Sequence, residues 1–267
     1  MKHIKEFAQL FESQQELTLE QKDWLDECTD GTWSVNHQTG LIDVGRSFDC
    51  SKQGLRDFKG VRFGKVGLSF VCAANSLTSL DGAPQSVAAS FDCSENELTS
   101  LEGAPQRVGG SFFCSYNSLT SLDGAPQSVD GNFYCDNNYL TSLEGAPESI
   151  EGSFYCSYNS LTSLKGSPQS VKGSFFCSNN SLTSLEGAPQ SVGENLYCPF
   201  NPISAGTING VVMMMSYKGI TLEQAVSDLW NETQEEDRVY LAKHNPDLPP
   251  EEKKEYLALE RHQKRLI

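Results

Sequence analysis

No stretch of this 267-residue sequence approaches the roughly 20 consecutive apolar residues that a bilayer-spanning helix needs. Basic residues are scarce: 20 Lys and Arg stand against 35 Asp and Glu, for a formal net charge of -15. A surplus of that sign works against binding a phosphate backbone or an anionic membrane surface, so neither nucleic acid nor membrane is expected as a partner. Histidine is rarer still, with His3, His37, His244 and His262 scattered through the terminal regions. P-loop, HExxH and GxSxG motifs are missing, and no catalytic residue, cofactor or metal is expected. The opening residues, MKHIKEFAQLFESQQELTLEQ, carry no apolar run or small-residue cleavage site, which points to a cytoplasmic location.

What is present is ordered. Eight of the nine cysteines, Cys50, Cys72, Cys93, Cys114, Cys135, Cys156, Cys177 and Cys198, recur at one interval of 22 residues and six of 21; only Cys28 stands outside. A zinc site draws ligands from several directions, whereas one thiol per repeat on one face reads as an internal column of reduced, small apolar side chains. Each cysteine ends a tetrad: SFDC, SFVC, SFDC, SFFC, NFYC, SFYC, SFFC and NLYC. Between tetrads run an Asn, the sequence LTSL, a Gly, a Pro and a Val or Ile. A period of 20 to 29 residues is the signature of a solenoid.

The repeat has a physical reading. S-F-x-C alternates as a short strand, with Phe112 and Cys114 inward and Ser111 and Phe113 outward. Asn117 satisfies backbone groups where the chain turns, and stacking aligns these amides in a ladder. Leu119 and Leu122 return to the core, Gly124 and Pro126 shape a turn, and Val129 closes the interior. The rest is too short and too rich in Gly and Pro for a helix, so extended or irregular backbone is expected there.

Three regions follow: residues 1–46 as an N-terminal cap, 47–210 as a solenoid of about eight coils, and 211–267 as a C-terminal strand and helical cap or tail. In the first, Ile4, Phe7, Ala8 and Phe11 have helical spacing. A second helix capped by Thr18 should bury Leu19, Trp24 and Leu25 and end near Gly31. Trp33 to Val35 and Leu41 to Val44 read as a hairpin across Asn36 to Gly40. In the last region VVMMMSY reads as a strand or final coil, followed by helical segments from Leu222 and from about Pro250.

The anchors Phe112, Cys114, Asn117 and Leu119 resemble the second half of the leucine-rich-repeat segment L-x-x-L-x-L-x-x-N-x-L; Val108 sits four residues before Phe112, where that family has three. The resemblance spans residues 47 to about 203. It implies a mainly β, right-handed leucine-rich-repeat-like solenoid with short parallel strands and helical caps, and a strand face that binds proteins. The form FxCSxNxLTSLEGAP is most similar to repeat proteins of tailed bacteriophages, which implies a host or defence protein as partner. Cys28-Thr29-Asp30 also matches the Cys-x-Asp nucleophile motif of repeat-bearing ubiquitin-ligase effectors, but without the helical domain that holds such a thiol.

One position escapes the duty of building a coil. The outward residue between Phe and Cys runs Asp49, Val71, Asp92, Phe113, Tyr134, Tyr155, Phe176, Tyr197, so the last five should form an aromatic column bordered by Ser and Asn. Phe113, Tyr134, Tyr155, Phe176 and Tyr197 are therefore the candidate protein-binding face. Structural stacking and homo-oligomerisation are the alternative uses of the same column. Single-stranded nucleic acid fits poorly, because residues 73–203 hold three basic side chains against thirteen acids. Asp81, Glu102, Asp123, Glu144 and Glu186, interrupted by Lys165, should form an acidic rail along one turn.

Overall fold

The computed structural model describes residues 16–29, 31–198 and 200–202, together with the backbone of a strand at Met215–Ser216. The expected helices at Ile4–Phe11, from Leu222 and from Pro250 lie outside the described residues. Between the cap and Tyr197 the chain winds as a right-handed β-solenoid with parallel coils, consistent with a leucine-rich-repeat-like architecture.

Each coil contributes to two sheets. The Phe–Cys sheet contains Phe48–Asp49, Phe70–Val71, Phe91–Asp92, Phe112–Phe113, Phe133–Tyr134, Phe154–Tyr155, Phe175–Phe176 and Asn195–Tyr197; Met215–Ser216 closes it by antiparallel pairing with the last of these. Equivalent residues of successive coils pair directly, as in Phe112 with Phe133 and Tyr134 with Tyr155. The second sheet, here the Val sheet, runs through Ile42–Val44, Phe63–Val66, Ser86–Val87, Arg107–Val108, Ser128–Val129, Ser149–Ile150, Ser170–Val171 and Ser191–Val192.

That second sheet occupies part of the stretch expected to be extended or irregular. A two-residue strand is too short to show alternation, so only the stacking of coils makes it visible. Its Val or Ile points inward in each coil, buried to 2 % exposure or less, while the residue before it faces out.

The interior is a set of columns. Phe48, Phe70, Phe91, Phe112, Phe133, Phe154 and Phe175 are fully buried, with successive ring centroids 5.0–5.6 Å apart. Leu196 takes the position in the last coil. All nine cysteines are free and buried. Within the column the Cys114 Sγ donates to the Tyr134 carbonyl of the next coil at 3.2 Å, and Cys135 does the same to Tyr155. Burial pushes these thiols well above the ordinary range, because an ionised sulfur would lose its water.

The Asn ladder joins coils. Asn117 Oδ1 accepts the Leu98 N–H at 3.0 Å, and its Nδ2 donates to the carbonyls of Cys93, Cys114 and Ser115 at 3.0–3.3 Å. Asn96, Asn138 and Asn180 make the equivalent set one coil earlier, one later and three later. At the opposite turn Gly124 holds φ at 87°, and a Cβ there would lie 2.5 Å from backbone atoms of Leu101 and Glu102. Glycine is required twice over, by its torsion and by the closeness of the preceding coil.

The single 22-residue interval is absorbed in the Val sheet. Ile42 pairs with Phe63 but Val44 pairs with Val66, so the extra residue forms a bulge at Gly64–Lys65. Asp43 Oδ1 accepts the Lys65 N–H at 2.8 Å inside that bulge.

The N-terminal end is covered by a helix, Leu19–Thr29. Thr18 Oγ1 accepts the Gln21 N–H at 3.2 Å, and Gln21 Oε1 accepts the Thr18 N–H at 2.8 Å, a reciprocal capping box. Trp24, Leu25 and Cys28 are buried, and the Trp24 ring meets Phe48 edge-on at 5.3 Å. Leu19 departs from expectation: it is exposed, not buried. It is the first helical residue and lies well over a quarter-turn from the Trp24 face; Gln21 docks instead, its Nε2 donating to the Lys59 carbonyl at 2.7 Å. The hairpin forms as Trp33–Val35 paired antiparallel with Ile42–Val44, which hands the chain into the Val sheet. An exposed end of stacked apolar coils is thereby covered.

Candidate functional site on the outer face of the Phe–Cys sheet

Alternation along S-F-x-C turns Phe and Cys inward and the intervening residue outward. Parallel pairing in unbroken register then brings Phe113, Tyr134, Tyr155, Phe176 and Tyr197 into one line. The first four rings are stacked face to face, with centroids 4.7, 4.4 and 4.6 Å apart and planes within 10°. Tyr197 is turned, meeting Phe176 at 6.1 Å and 66°. All five are half-buried. Inner and outer faces of one sheet thus each carry an aromatic stack.

Mutual stacking decides what the column can do. Faces that cover one another leave only edges and phenol groups to solvent, so a base or sugar has no ring face to stack on between Phe113 and Phe176. The bordering Ser and Asn side chains are also engaged. Ser111 Oγ accepts the Asn132 N–H at 3.1 Å, Asn132 Oδ1 the Ser153 N–H at 2.7 Å, and Ser153 Oγ the Ser174 N–H at 2.9 Å. Asn132 Nδ2 also donates to the Tyr134 hydroxyl at 3.0 Å. Burial and the neighbouring Tyr134 push the Tyr155 phenol upward, and a hydrogen bond with Ser153 acts in the opposite direction. On the other border Ser115 Oγ donates to Asp136 at 2.7 Å, and Ser178 Oγ bonds Ser157 Oγ at 2.9 Å.

A second set of rings stands at the margin. Tyr116, Tyr139, Tyr158 and Phe200 are 58 %, 62 %, 57 % and 73 % exposed, more than any ring of the column. Reading the sequence for alternation inside the tetrad passes over them, since they follow the strand. For Tyr116, Tyr158 and Phe200 the signal was an aromatic at a repeat offset that elsewhere holds Lys, Ala, Glu or Asn; Tyr139 stands two residues further along its coil, where most of the other coils have Ser.

The remaining candidates are placed as follows. Asp81, Glu102, Asp123, Glu144 and Glu186 are exposed, and Lys165 Nζ lies 3.9 Å from Glu144; such an exposed pair contributes little. A groove of about 550 Å³ runs over the outside of the Val sheet near the cap, lined among others by Trp33, Lys65, Ser86, Arg107, Ser128 and Asp130. Cys28 is buried against the first coil, 3.5 Å from Gln53 Nε2, and burial raises its pKa. An activated nucleophile needs the opposite shift. Asp30 lies outside the described residues. No group of three or more His, Cys, Asp or Glu among the described residues is placed to hold a metal ion, and no helix among them is long and apolar enough to cross a membrane.

No protein-family model matches the chain. None of the curated proteins matches it either. The molecule is a repeat solenoid scaffold.

Proposed function

We propose that this chain is a non-enzymatic scaffold that binds a protein through the outer face of the Phe–Cys sheet. The phage-like form of the repeats makes a host-cell or defence protein the intended partner. The observation that carries the reading is the continuous aromatic stripe from Phe113 to Tyr197, half-buried by its own stacking and anchored at its borders by hydrogen bonds. A rigid, pre-organised apolar stripe loses little side-chain entropy on contact, and aromatic residues are the side chains that concentrate binding energy. The surplus of acidic side chains, thirteen against three basic ones over residues 73–203, favours a basic partner and repels nucleic acid.

The test compares the chain with Tyr134→Ser/Tyr155→Ser in affinity capture from host extract, followed by mass spectrometry, with circular dichroism as a fold control. One stoichiometric partner, captured by the parent and lost by the folded variant, is the expected result. Undiminished capture by the variant removes this face from the binding site. Light scattering on the pure chain separates the assembly reading: a dimer dispersed by the same double substitution assigns the stripe to self-association instead.

A further inference from the structure

The position two residues after each core cysteine reads, in coil order, Lys52, Ala74, Glu95, Tyr116, Asn137, Tyr158, Asn179 and Phe200. All eight hold left-handed backbone, with φ between 53° and 58°. Asn is comfortable there; a bulky aromatic residue is not. Over the last five coils aromatic and amide alternate without exception. Tyr116, Tyr158 and Phe200 are exposed, and none of them has a ring partner among the described residues. Folding therefore gains only partial burial and no ring stacking from these residues, and bears a disfavoured torsion at each. The contacts within the fold do not account for their placement.

We propose that this row binds a linear, neutral β-1,4-linked polysaccharide laid along the solenoid axis, at a site separate from the stacked column. Coils advance by about 4.8 Å, so successive aromatics of the row stand about 10 Å apart. An extended β-1,4-linked chain advances by close to one coil per sugar and turns each ring over relative to the last. Every second sugar then presents the same apolar face to Tyr116, Tyr158 and Phe200. The sugars between present hydroxyls to Asn137 and Asn179, whose amides both donate and accept. Asn137 is oriented by Asp136, which accepts from its Nδ2 at 2.7 Å, and the Asn179 amide has no hydrogen-bond partner among the described residues. Tyr139 adds an exposed ring in the same coil as Asn137.

Charge selects the neutral class, since Glu95 in the coil before Tyr116, Asp136 next to Asn137 and the net charge of -15 repel polyanions. Spacing selects a repeating ligand over a protein: protein hot spots cluster in packed, desolvated pockets, whereas these rings stand apart at a fixed interval.

The experiment is calorimetric titration of the full chain with cellohexaose, with the β-1,4-linked hexamer of N-acetylglucosamine, and with maltohexaose as the coiled α-linked control. Saturable binding of at least one β-linked hexasaccharide and none of maltohexaose is expected. The Tyr116→Asn/Tyr158→Asn variant should lose affinity on the order of tenfold or more, as removal of two stacking contacts implies, with no fall in its melting temperature. Tyr134→Ser/Tyr155→Ser should bind sugar like the parent, which keeps this test independent of the protein-binding reading. Failure of both β-linked hexamers to bind the folded chain overturns the proposal, as does equal binding of maltohexaose or unchanged affinity in the Asn variant. A protein captured through Tyr116 and Tyr158 while neither hexamer binds reassigns the row.

Discussion

Tyr134 and Tyr155 stack with centroids 4.4 Å apart and planes 10° apart, the closest ring pair of the outer column. They are also directly paired in the parallel sheet, so backbone register and ring contact reinforce each other. A double-mutant cycle with Tyr134→Ala and Tyr155→Ala should give a coupling energy of about 0.5–1.5 kcal/mol, the range for such aromatic pairs. Urea denaturation of the four proteins measures it. Additive substitutions, within error, would mean that the rings merely share a surface.

Asn117 supports a separate prediction about how coils are joined. It is 7 % exposed and satisfies the Leu98 N–H together with the carbonyls of Cys93, Cys114 and Ser115. Asn117→Ala leaves those buried backbone groups without their side-chain partner, at about 1–3 kcal/mol for each that water does not reach. The expected loss is several kcal/mol in chemical denaturation. Asn117→Asp should fall in the same range, since it keeps the acceptor and replaces the donor with a buried charge. Asn137→Ala, at a half-buried position whose amide bonds Asp136 alone among the described residues, serves as the milder comparison, its cost limited to that part-buried bond and to the left-handed torsion that Asn tolerates better than Ala.

Most of the architecture was legible because it is written many times over. Phe, Cys, Asn and Leu recur at fixed offsets, and an alternating tetrad repeated eight times leaves little choice of inward face. Thr18 and Gln21 also declare the cap helix through their chemistry. The Val sheet was not legible as a sheet, since Ser128–Val129 is two residues long and becomes a strand only beside its copies. Leu19 misled because helical spacing was read without the angle that separates it from Trp24. Of the outer surface, the line Phe113 to Tyr197 follows from alternation; its face-to-face stacking and the left-handed torsions beneath Tyr116 and Tyr158 do not. Those belong to ring orientation and turn geometry, which residue type alone leaves open.

The left-handed torsion at Tyr158 gives a prediction of opposite sign. With φ at 55° and the residue 57 % exposed, the tyrosine bears the strain of that region with little burial to offset it. Tyr158→Asn should stabilise the chain by up to about 1 kcal/mol, part of the cost of left-handed backbone for an L residue. The denaturation midpoint should rise accordingly, with an unchanged slope. A lower midpoint would show that the phenol makes a stabilising contact after all.

The thiol column predicts how stability depends on alkaline pH. Cys72, Cys93, Cys114, Cys135, Cys156 and Cys177 have pKa values raised well above the ordinary 9.0, primarily by burial. A folded-state pKa above the unfolded one means that the native chain holds its protons more tightly. The contribution to stability is therefore fully present below pH 9.0 and is lost as pH climbs from there toward the folded values. Each such thiol steepens the loss by about 1.4 kcal/mol per pH unit within that window. Denaturation midpoints followed from pH 8 upward should fall steeply above the ordinary thiol value, and Cys114→Ala/Cys135→Ala should shed close to two thiols' share of the slope. In the same samples at pH 8, a thiol reagent should label native protein negligibly and label all nine cysteines after unfolding, because the column is inaccessible as well as protonated. Equal alkaline slopes for parent and variant would show that the thiols ionise alike in both states, and the column's protonation would then not be linked to folding.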